Sequence, residues 1–363
     1  MLATLEDVAK HTGYSIATVS RVVNGVDGVR SDVRNTVIQA VRELGYVARR
    51  VRASQVSTSQ ENKERLVEVI LHRHSAQEQL QTKPQGLAVG PLSDVPVDDY
   101  LSRSWELSND FYRSILDGIL DELYQHNGKA IVQVVKNLTD PAVISSLKNH
   151  LTGVLVVGEG GPDVSEFLVA CQIPVTLVDI LHSGGGHEVV TTDNLTGIGQ
   201  AVEHLASLGH RRLGYITGNP NATTDERAIA FTYHCGRLKV EIAPEWHAVK
   251  YDSIASTTDR IAALLVKPGR PSALVCCNDW GALSAYHAAA SCHLSVPRDL
   301  SVVGFDDGLV AATLVPPLTT IRVATNDIGR MAVRLVLTQT RRGRGSITRL
   351  PTQLILRNST MAP

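Results

Sequence analysis

Apolar residues near the start of the chain recur at helical spacing in three short runs. Leu5, Val8 and Ala9 share one face, and Thr4 stands ahead of them as an N-cap, with Asp7 three residues on able to satisfy a free amide. This predicts a first helix to about His11. Gly13 supplies a permissive turn, and Ser15 caps a second helix with Val19, Val22 and Val23 inward, leaving Ile16, Ala17, Thr18, Ser20 and Arg21 outward. A third helix is predicted from Ser31, carrying Val33, Val37, Ile38, Val41 and Leu44 and stopping at Gly45. Three short helices on one small core, with the second exposed, make a helix-turn-helix that can lay its second helix in the major groove of DNA.

From Leu66 the pattern changes. The runs Leu66 to Leu71, Ala130 to Val135, Val154 to Val157, Val175 to Val178, Leu213 to Ile216, Ala273 to Cys277 and Leu300 to Val303 read as buried strands. They alternate with helical stretches such as Ile115 to Tyr124, Ile198 to Leu208 and Leu283 to Ala290, and a last strand-like run spans Leu354 to Arg357. The alternation predicts an α/β core with parallel sheets covered on both faces. Between the two patterns, residues 47–56 and the polar segment 57–64 read as a linker.

Composition adds an asymmetry. The net charge of −1 over 363 residues hides a basic excess at the front, where Lys10, Arg21, Arg30, Arg34, Arg42, Arg49, Arg50 and Arg52 outnumber Glu6, Asp7, Asp27, Asp32 and Glu43. No apolar run reaches the length of a membrane span and no basic start leads into one, so a cytoplasmic protein is expected. Cys171, Cys235, Cys276, Cys277 and Cys292 are odd in number and lack ligand spacing, which reads as reduced core residues and no metal.

The motif Leu5-Glu-Asp-Val-Ala-Lys-His-Thr-Gly-Tyr-Ser-Ile-Ala-Thr-Val-Ser-Arg-Val-Val-Asn-Gly25 with a following Glu43-Leu-Gly-Tyr46 resembles the lactose-repressor (LacI) family of bacterial transcription regulators. Further markers run nearly to the end of the chain: Asp193-Asn194, Leu208 to Gly218, Asp225-Glu-Arg227, Cys277-Asn-Asp279, Val296 to Asp307, Pro316 to Ile321 and Leu350 to Leu354. The resemblance implies a helix-turn-helix domain over 1–46, a hinge over 47–64, and a periplasmic-binding-protein-like core of two Rossmann-like subdomains over 65–363. Their expected bounds are about 65–191 plus 324–339 for the first and 192–323 plus 340–363 for the second. It also implies a regulator of near-palindromic double-stranded DNA, switched by a small molecule such as a sugar, with no cofactor and no catalysis. The chain lacks the leucine-heptad tail of tetrameric members, so a homodimer is expected.

By the same resemblance Arg21 reads bases, with a phosphate contact as its alternative, and Ile16 and Ala17 occupy the other readout positions, where they offer apolar contact to a thymine methyl. Thr18, Ser20 and Asn24 hold phosphates or cap. Tyr112, Asp179, Thr223, Arg227, Asn278 and Asp306 match effector-pocket positions, at the carboxyl ends of strands where open α/β sheets bind ligands. Acids, a guanidinium and an amide around a cleft can bond sugar hydroxyls as donors and as acceptors.

Two departures stand out. The family's hinge carries a leucine that wedges into the minor groove; here Gln55 holds that place, Val56 could substitute by a register shift, and Arg49, Arg50 and Arg52 can bind the backbone. The family also has only a few residues where this chain has Ser75 to Leu107, a lid or a dimer-facing addition. The basic stretch Arg341 to Arg344 reads as a solvated loop. Enzyme readings fail: Gly158-Glu-Gly-Gly161 has Pro162 where a phosphate-binding helix should start, and His72-Arg-His74 reads as an exposed pair without a third ligand. The rivals that stay open are a solute-binding module and an effector-independent DNA-binding protein.

Overall fold

The computed structural model describes residues 4–23, 31–44, 65–72, 110–147, 151–182, 186–218, 220–247, 249–250, 253–339 and 345–363. Asn24, Arg49, Arg50, Arg52, Gln55, Val56, the segment 75–107 and the basic stretch 341–344 lie outside the described residues. The chain divides into two compact units, Met1–Lys63 and Glu64–Pro363.

In the first unit, α1 (Leu5–Thr12), α2 (Ile16–Val23) and α3 (Ser31–Glu43) enclose Val8, Ala9, Val19, Val22, Val37 and Ala40. The start of α1 is a full capping box: the Thr4 hydroxyl accepts from the Asp7 amide at 3.3 Å, and the Asp7 carboxylate accepts from the Thr4 amide at 2.8 Å. Gly13 closes the helix at φ 71, a left-handed geometry that a side chain would strain. One expectation fails in α3, where Ile38 is 39% exposed and Ala40 is buried in its stead. Val37, Ala40, Val41 and Leu44 follow the i, i+3, i+4, i+7 stripe facing the core, and Ile38 falls beside it.

The second unit holds two six-stranded sheets. The first has the order β11-β5-β4-β3-β1-β2, built from β1 (Arg65–His72), β2 (Gly128–Val135), β3 (Gly153–Gly158), β4 (Val175–Val178), β5 (Glu188–Thr192) and β11 (Ile347–Leu350). All its pairings are parallel. The second, β12-β10-β9-β8-β6-β7, is built from β6 (Leu213–Thr217), β7 (Val249–Lys250), β8 (Ala273–Cys276), β9 (Ser301–Asp306), β10 (Thr319–Val323) and β12 (Thr352–Ile355). Only β12 runs antiparallel to its neighbour there. Each sheet repeats one winding pattern, and β3, β4, β8 and β9 are almost wholly buried, as helices on both faces require.

The chain passes between the sheets after β5, after β10 and at Pro351. The last passage corrects the expected subdomain bounds. Ile347–Leu350 pairs with β5 in the first sheet, so the tail beyond 340 is divided between the two halves. The final strand is likewise earlier than expected, at Thr352–Ile355, because its partner is β10 through Thr320↔Ile355 to Val323↔Thr352.

After the second passage, α13 (Thr325–Thr338) returns to the first half and packs on α4 (Asp110–Gln125). The approach depends on Gly118 and Gly329, where a Cβ would meet the backbone of Asn326 and of Ile115. Ion pairs frame this contact, with Arg334 Nε 2.7 Å from Glu122 and Arg330 Nη2 2.8 Å from Asp121. His72, expected on the surface, is buried at the end of β1 with Nε2 3.1 Å from Asp163. Among the described residues no helix is long and apolar enough to cross a membrane, and no group of three or more His, Cys, Asp or Glu side chains could hold a metal ion.

Candidate functional site

Burial of Val19 and Val22 fixes which side of α2 faces out. Ile16 is 48% exposed, Ala17 and Arg21 are exposed, and Thr18 and Ser20 are half-buried. Thr18 is drawn into the cap, its amide donating to Ser15 Oγ at 3.2 Å. Ile16, Ala17 and Arg21 therefore form one open surface, while Thr18 belongs partly to the helix start.

The second site gathers at the carboxyl ends of β3, β4, β8 and β9. Asp179 follows β4 and Asp306 ends β9, at φ 60 and φ 106, left-handed conformations that non-glycine residues adopt at a cost of about 1–3 kcal/mol. Arg227, on α8 (Ala222–Leu238), reaches between them. Its Nε donates to Asn194 Oδ1 at 2.7 Å, its Nη1 to the Cys277 carbonyl at 2.6 Å and to Asp306 Oδ1 at 3.5 Å, and its plane lies 3.8 Å from the Phe305 ring centre. Asn194, at the start of α7 (Asn194–Ser207), is held in turn by Glu226 at 2.8 Å. The guanidinium is thus locked into a plane rather than left to swing.

Burial pushes the Asp179 carboxyl up to about 7; Arg227 opposes this and Glu159 adds to it. Asp306 also lies at about 7, for the same reason of burial, with Arg227 lowering it and Asp179 and Asp110 raising it. The Tyr112 hydroxyl is pushed well above its ordinary range by burial and by the field of Asp179, Glu159 and Asp306. Five of the six residues expected at the pocket, Tyr112, Asp179, Thr223, Arg227 and Asp306, share this neighbourhood by contact or field. Asn278 also sits there in sequence, but its side-chain oxygen caps α11 (Asp279–Ser291), accepting from the Gly281 amide at 2.7 Å.

Among the described residues, three hydrogen bonds involving side chains span the two halves. The Thr223 hydroxyl donates to the Asp179 carbonyl at 3.2 Å, the Leu309 amide to Asp110 Oδ2 at 2.5 Å, and Arg349 Nη2 to Glu226 Oε1 at 2.7 Å. Sequence reasoning missed Asn194, Glu159, Asp110 and Phe305. Asn194, Phe305 and Glu159 stand inside stretches already singled out, Glu159 in the loop Gly158 to Gly161, whereas the part played by Asp110 shows only once the two halves are brought together. Asp279 is a neighbour of different character: it is buried and holds the second half together, accepting from Thr320 Oγ1 at 2.6 Å and from the Gly308 amide at 2.8 Å.

Residues 4–48 match the family described as bacterial regulatory proteins, lacI family, and residues 202–360 match a periplasmic binding protein-like domain. The ribose operon repressor of Haemophilus influenzae is 25% identical over 341 residues, covering 93% of this chain and 91% of that protein. A PurR transcriptional repressor of the same species is 28% identical over 348 residues, covering 93% and 90%. Among solved structures, the Lac repressor dimer bound to operator and the anti-inducer ONPF aligns with a TM-score of 0.63 at 23% identity over the whole of both chains. The regulator CelR in complex with cellobiose aligns at 0.64 and 23% identity, over 98% of this chain and 99% of its own. With a helix-turn-helix head of the lacI family whose reading face is open, followed by a two-sheet periplasmic binding protein-like core, the chain has the make-up of a DNA-binding transcriptional regulator rather than an enzyme.

Proposed function

We propose that the protein is a homodimeric repressor that grips a near-palindromic operator with two reading heads and changes its grip when a carbohydrate enters the cleft between the two core sheets. The observation that carries the effector reading is the fixed Arg227 guanidinium between Asp306 and Asn194, over the Phe305 ring and facing Asp179. Carboxylates only accept hydrogen bonds and a tyrosine hydroxyl does both, so the set suits neighbouring hydroxyls of a sugar. A relative named for ribose and a solved relative holding cellobiose support the same class.

Coupling follows from the three bonds across the cleft. A ligand that favours one angle between the halves must make or break contacts such as Thr223 to Asp179 and Leu309 to Asp110, and only that difference in affinity can move the equilibrium. For the dimer, the support is exposed apolar side chains on one side of the first half: Leu120 and Tyr124 on α4, with Val132 and Val134 on the same face of the edge strand β2. An exposed apolar sheet edge of this kind calls for a partner surface. A regulator of bacterial DNA works in the cytoplasm, and that is where we place it.

In the reading head, Arg21 is the base reader, and Ile16 and Ala17 touch thymine methyls. Calorimetry of the full chain against a panel of sugars, repeated with operator duplex present, tests the effector reading. A sugar that binds and shifts operator affinity upholds it. Operator binding that no panel member changes favours the effector-independent rival.

A further inference from the structure

We infer that the core carries a latch of its own: the Asp110 carboxylate of the first half grips the Leu309 amide of the second, the missing side chain of Gly308 lets it in, and the contact holds the ligand-free cleft closed. The inference rests on the reading that the angle between the halves sets the grip on operator, and it names the contact that regulates that angle. The chain crosses between the halves at β5, at β10 and at Pro351, so the crossings gather on the β11-β5 side of one sheet and the β12-β10 side of the other. Arg349 lies on β11 beside a crossing, and its pair with Glu226 can persist through opening. Asp110 instead starts α4, which packs on β2, the edge strand farthest from the crossings. The Thr223 bond to the Asp179 carbonyl joins neutral groups at 3.2 Å, whereas the Leu309 amide meets a carboxylate at 2.5 Å. Charge assistance makes the second the stronger tie across the cleft.

The loop that carries Leu309 is fixed from within its own half. Asp279 Oδ2 accepts from the Gly308 amide at 2.8 Å, and Asp307 accepts from Arg322 Nε at 2.7 Å and from Arg357 Nη2 at 2.6 Å. Held in this way, the Leu309 amide is presented toward the first half, at the start of α12 (Leu309–Thr313), and Gly308 ahead of it has no side chain with which to bond it. A Cβ on Gly308 would stand 2.9 Å from Asp110 Oδ2, too close for both to stay where they are. The Gly308 backbone is ordinary extended chain, φ −75 and ψ 179, which any residue adopts. What glycine supplies there is room for Asp110 rather than a special turn.

The experiment is double electron–electron resonance on the ligand-free full-length protein, with spin labels on bio-orthogonal side chains at Ala142 and Ala255. Both positions are exposed, near the starts of α5 (Pro141–Ser146) and α10 (Ile254–Leu265), which follow the edge strands β2 and β7 on the side away from the crossings. Opening moves that side most, and an excess of unlabelled protein confines the readout to one chain. The parent should be found mainly at the shorter distance. Asp110→Ala should lower the ratio of closed to open by at least roughly fivefold. Gly308→Asp should do the same, because it sets a second acceptor-only carboxylate beside the same amide and repels the first. The double variant should open no further than either single one, and Asp110→Asn, which keeps an acceptor, should open less. Urea unfolding of each variant reports that it is folded. Distances unchanged in the folded single variants, or effects that multiply in the double variant, overturn the latch. Anisotropy on a duplex selected from a random pool then separates the latch from the reading beneath it. Variants that open should also shift duplex affinity, and in the same direction. Opening with affinity unchanged upholds the latch and removes the cleft angle from the control of DNA binding.

Discussion

The Arg227 guanidinium lies 3.8 Å from the centre of the Phe305 ring, sandwiched between an aromatic face and the carboxylates it must neutralise. Its side chain is 6% exposed, so the charge is held inside the protein by partners on both halves of its fork. Removing it leaves Asp306 and Asp179 facing each other without a cation. Arg227→Ala should therefore destabilise the core by about 3–5 kcal/mol, as breaking a buried pair from one side does. Arg227→Lys should not restore it, because an ammonium cannot reach Asn194 and the Cys277 carbonyl as a planar fork does. Asp306→Asn removes charge and keeps shape; it should abolish effector response with operator affinity near that of the parent. Urea unfolding together with operator titration checks both.

The two raised carboxyls give a pH dependence of definite sign. Asp179 and Asp306 sit at about 7 in the folded core against an ordinary value of 3.8, so the folded chain holds protons that the unfolded chain has released. Their contribution favours the fold fully below the ordinary value and is lost as pH rises through about 7. Glu122, drawn down by its hydrogen bond to Arg334, acts in the opposite sense and below this window. The urea midpoint of the ligand-free protein should fall between about pH 5.5 and pH 8, and should fall less in Asp179→Asn. An identical profile in the variant would remove Asp179 from the account.

Much of this was legible in the sequence because it rests on local rules. The Thr4 and Asp7 capping box, the Gly13 turn and the inward Val19 and Val22 follow from spacing alone, and so do the buried strands of the core. The failures share a cause. Ile38 lies at the border of a helical stripe, where periodicity cannot say which of two adjacent apolar residues turns inward. Ile347–Leu350 and Thr352–Ile355 are four residues each, and their sheet is decided by partners far away in β5 and β10. His72 looked like a surface residue until Asp163 was folded against it. In the cleft, Asp179, Arg227 and Asp306 carried a pattern, while Asp110 and Glu159 matter only once strand ends converge, Asp110 by accepting from the Leu309 amide and both by the field they add.

Arg21 stands exposed on α2 with Val22 buried beside it, so its loss should not disturb the head. Arg21→Ala should cost on the order of 1–3 kcal/mol in operator affinity and relax preference at one base pair per half-site. Binding to a set of single-base operator variants checks this. Uniform weakening across the set would make Arg21 a phosphate contact instead.

The apolar patch on α4 and β2 should be where two copies meet. Tyr124 is 80% exposed and Val132 is 42% exposed, so Tyr124→Glu with Val132→Glu should leave the fold intact and place like charges in the interface. Analytical ultracentrifugation should show a monomer where the parent is a dimer, with operator affinity reduced by roughly a hundredfold or more as avidity is lost. An unchanged dimer would move the interface elsewhere.

The most direct test of the whole account is fluorescence anisotropy of the full-length protein on a palindromic duplex selected from a random pool, titrated across salt concentrations. The account predicts two protomers per duplex, a clear preference over scrambled sequence, and a log-log salt slope of about −0.9 for each phosphate neutralised. Binding by single protomers, affinity indifferent to salt, or no sequence that the pool enriches would contradict it.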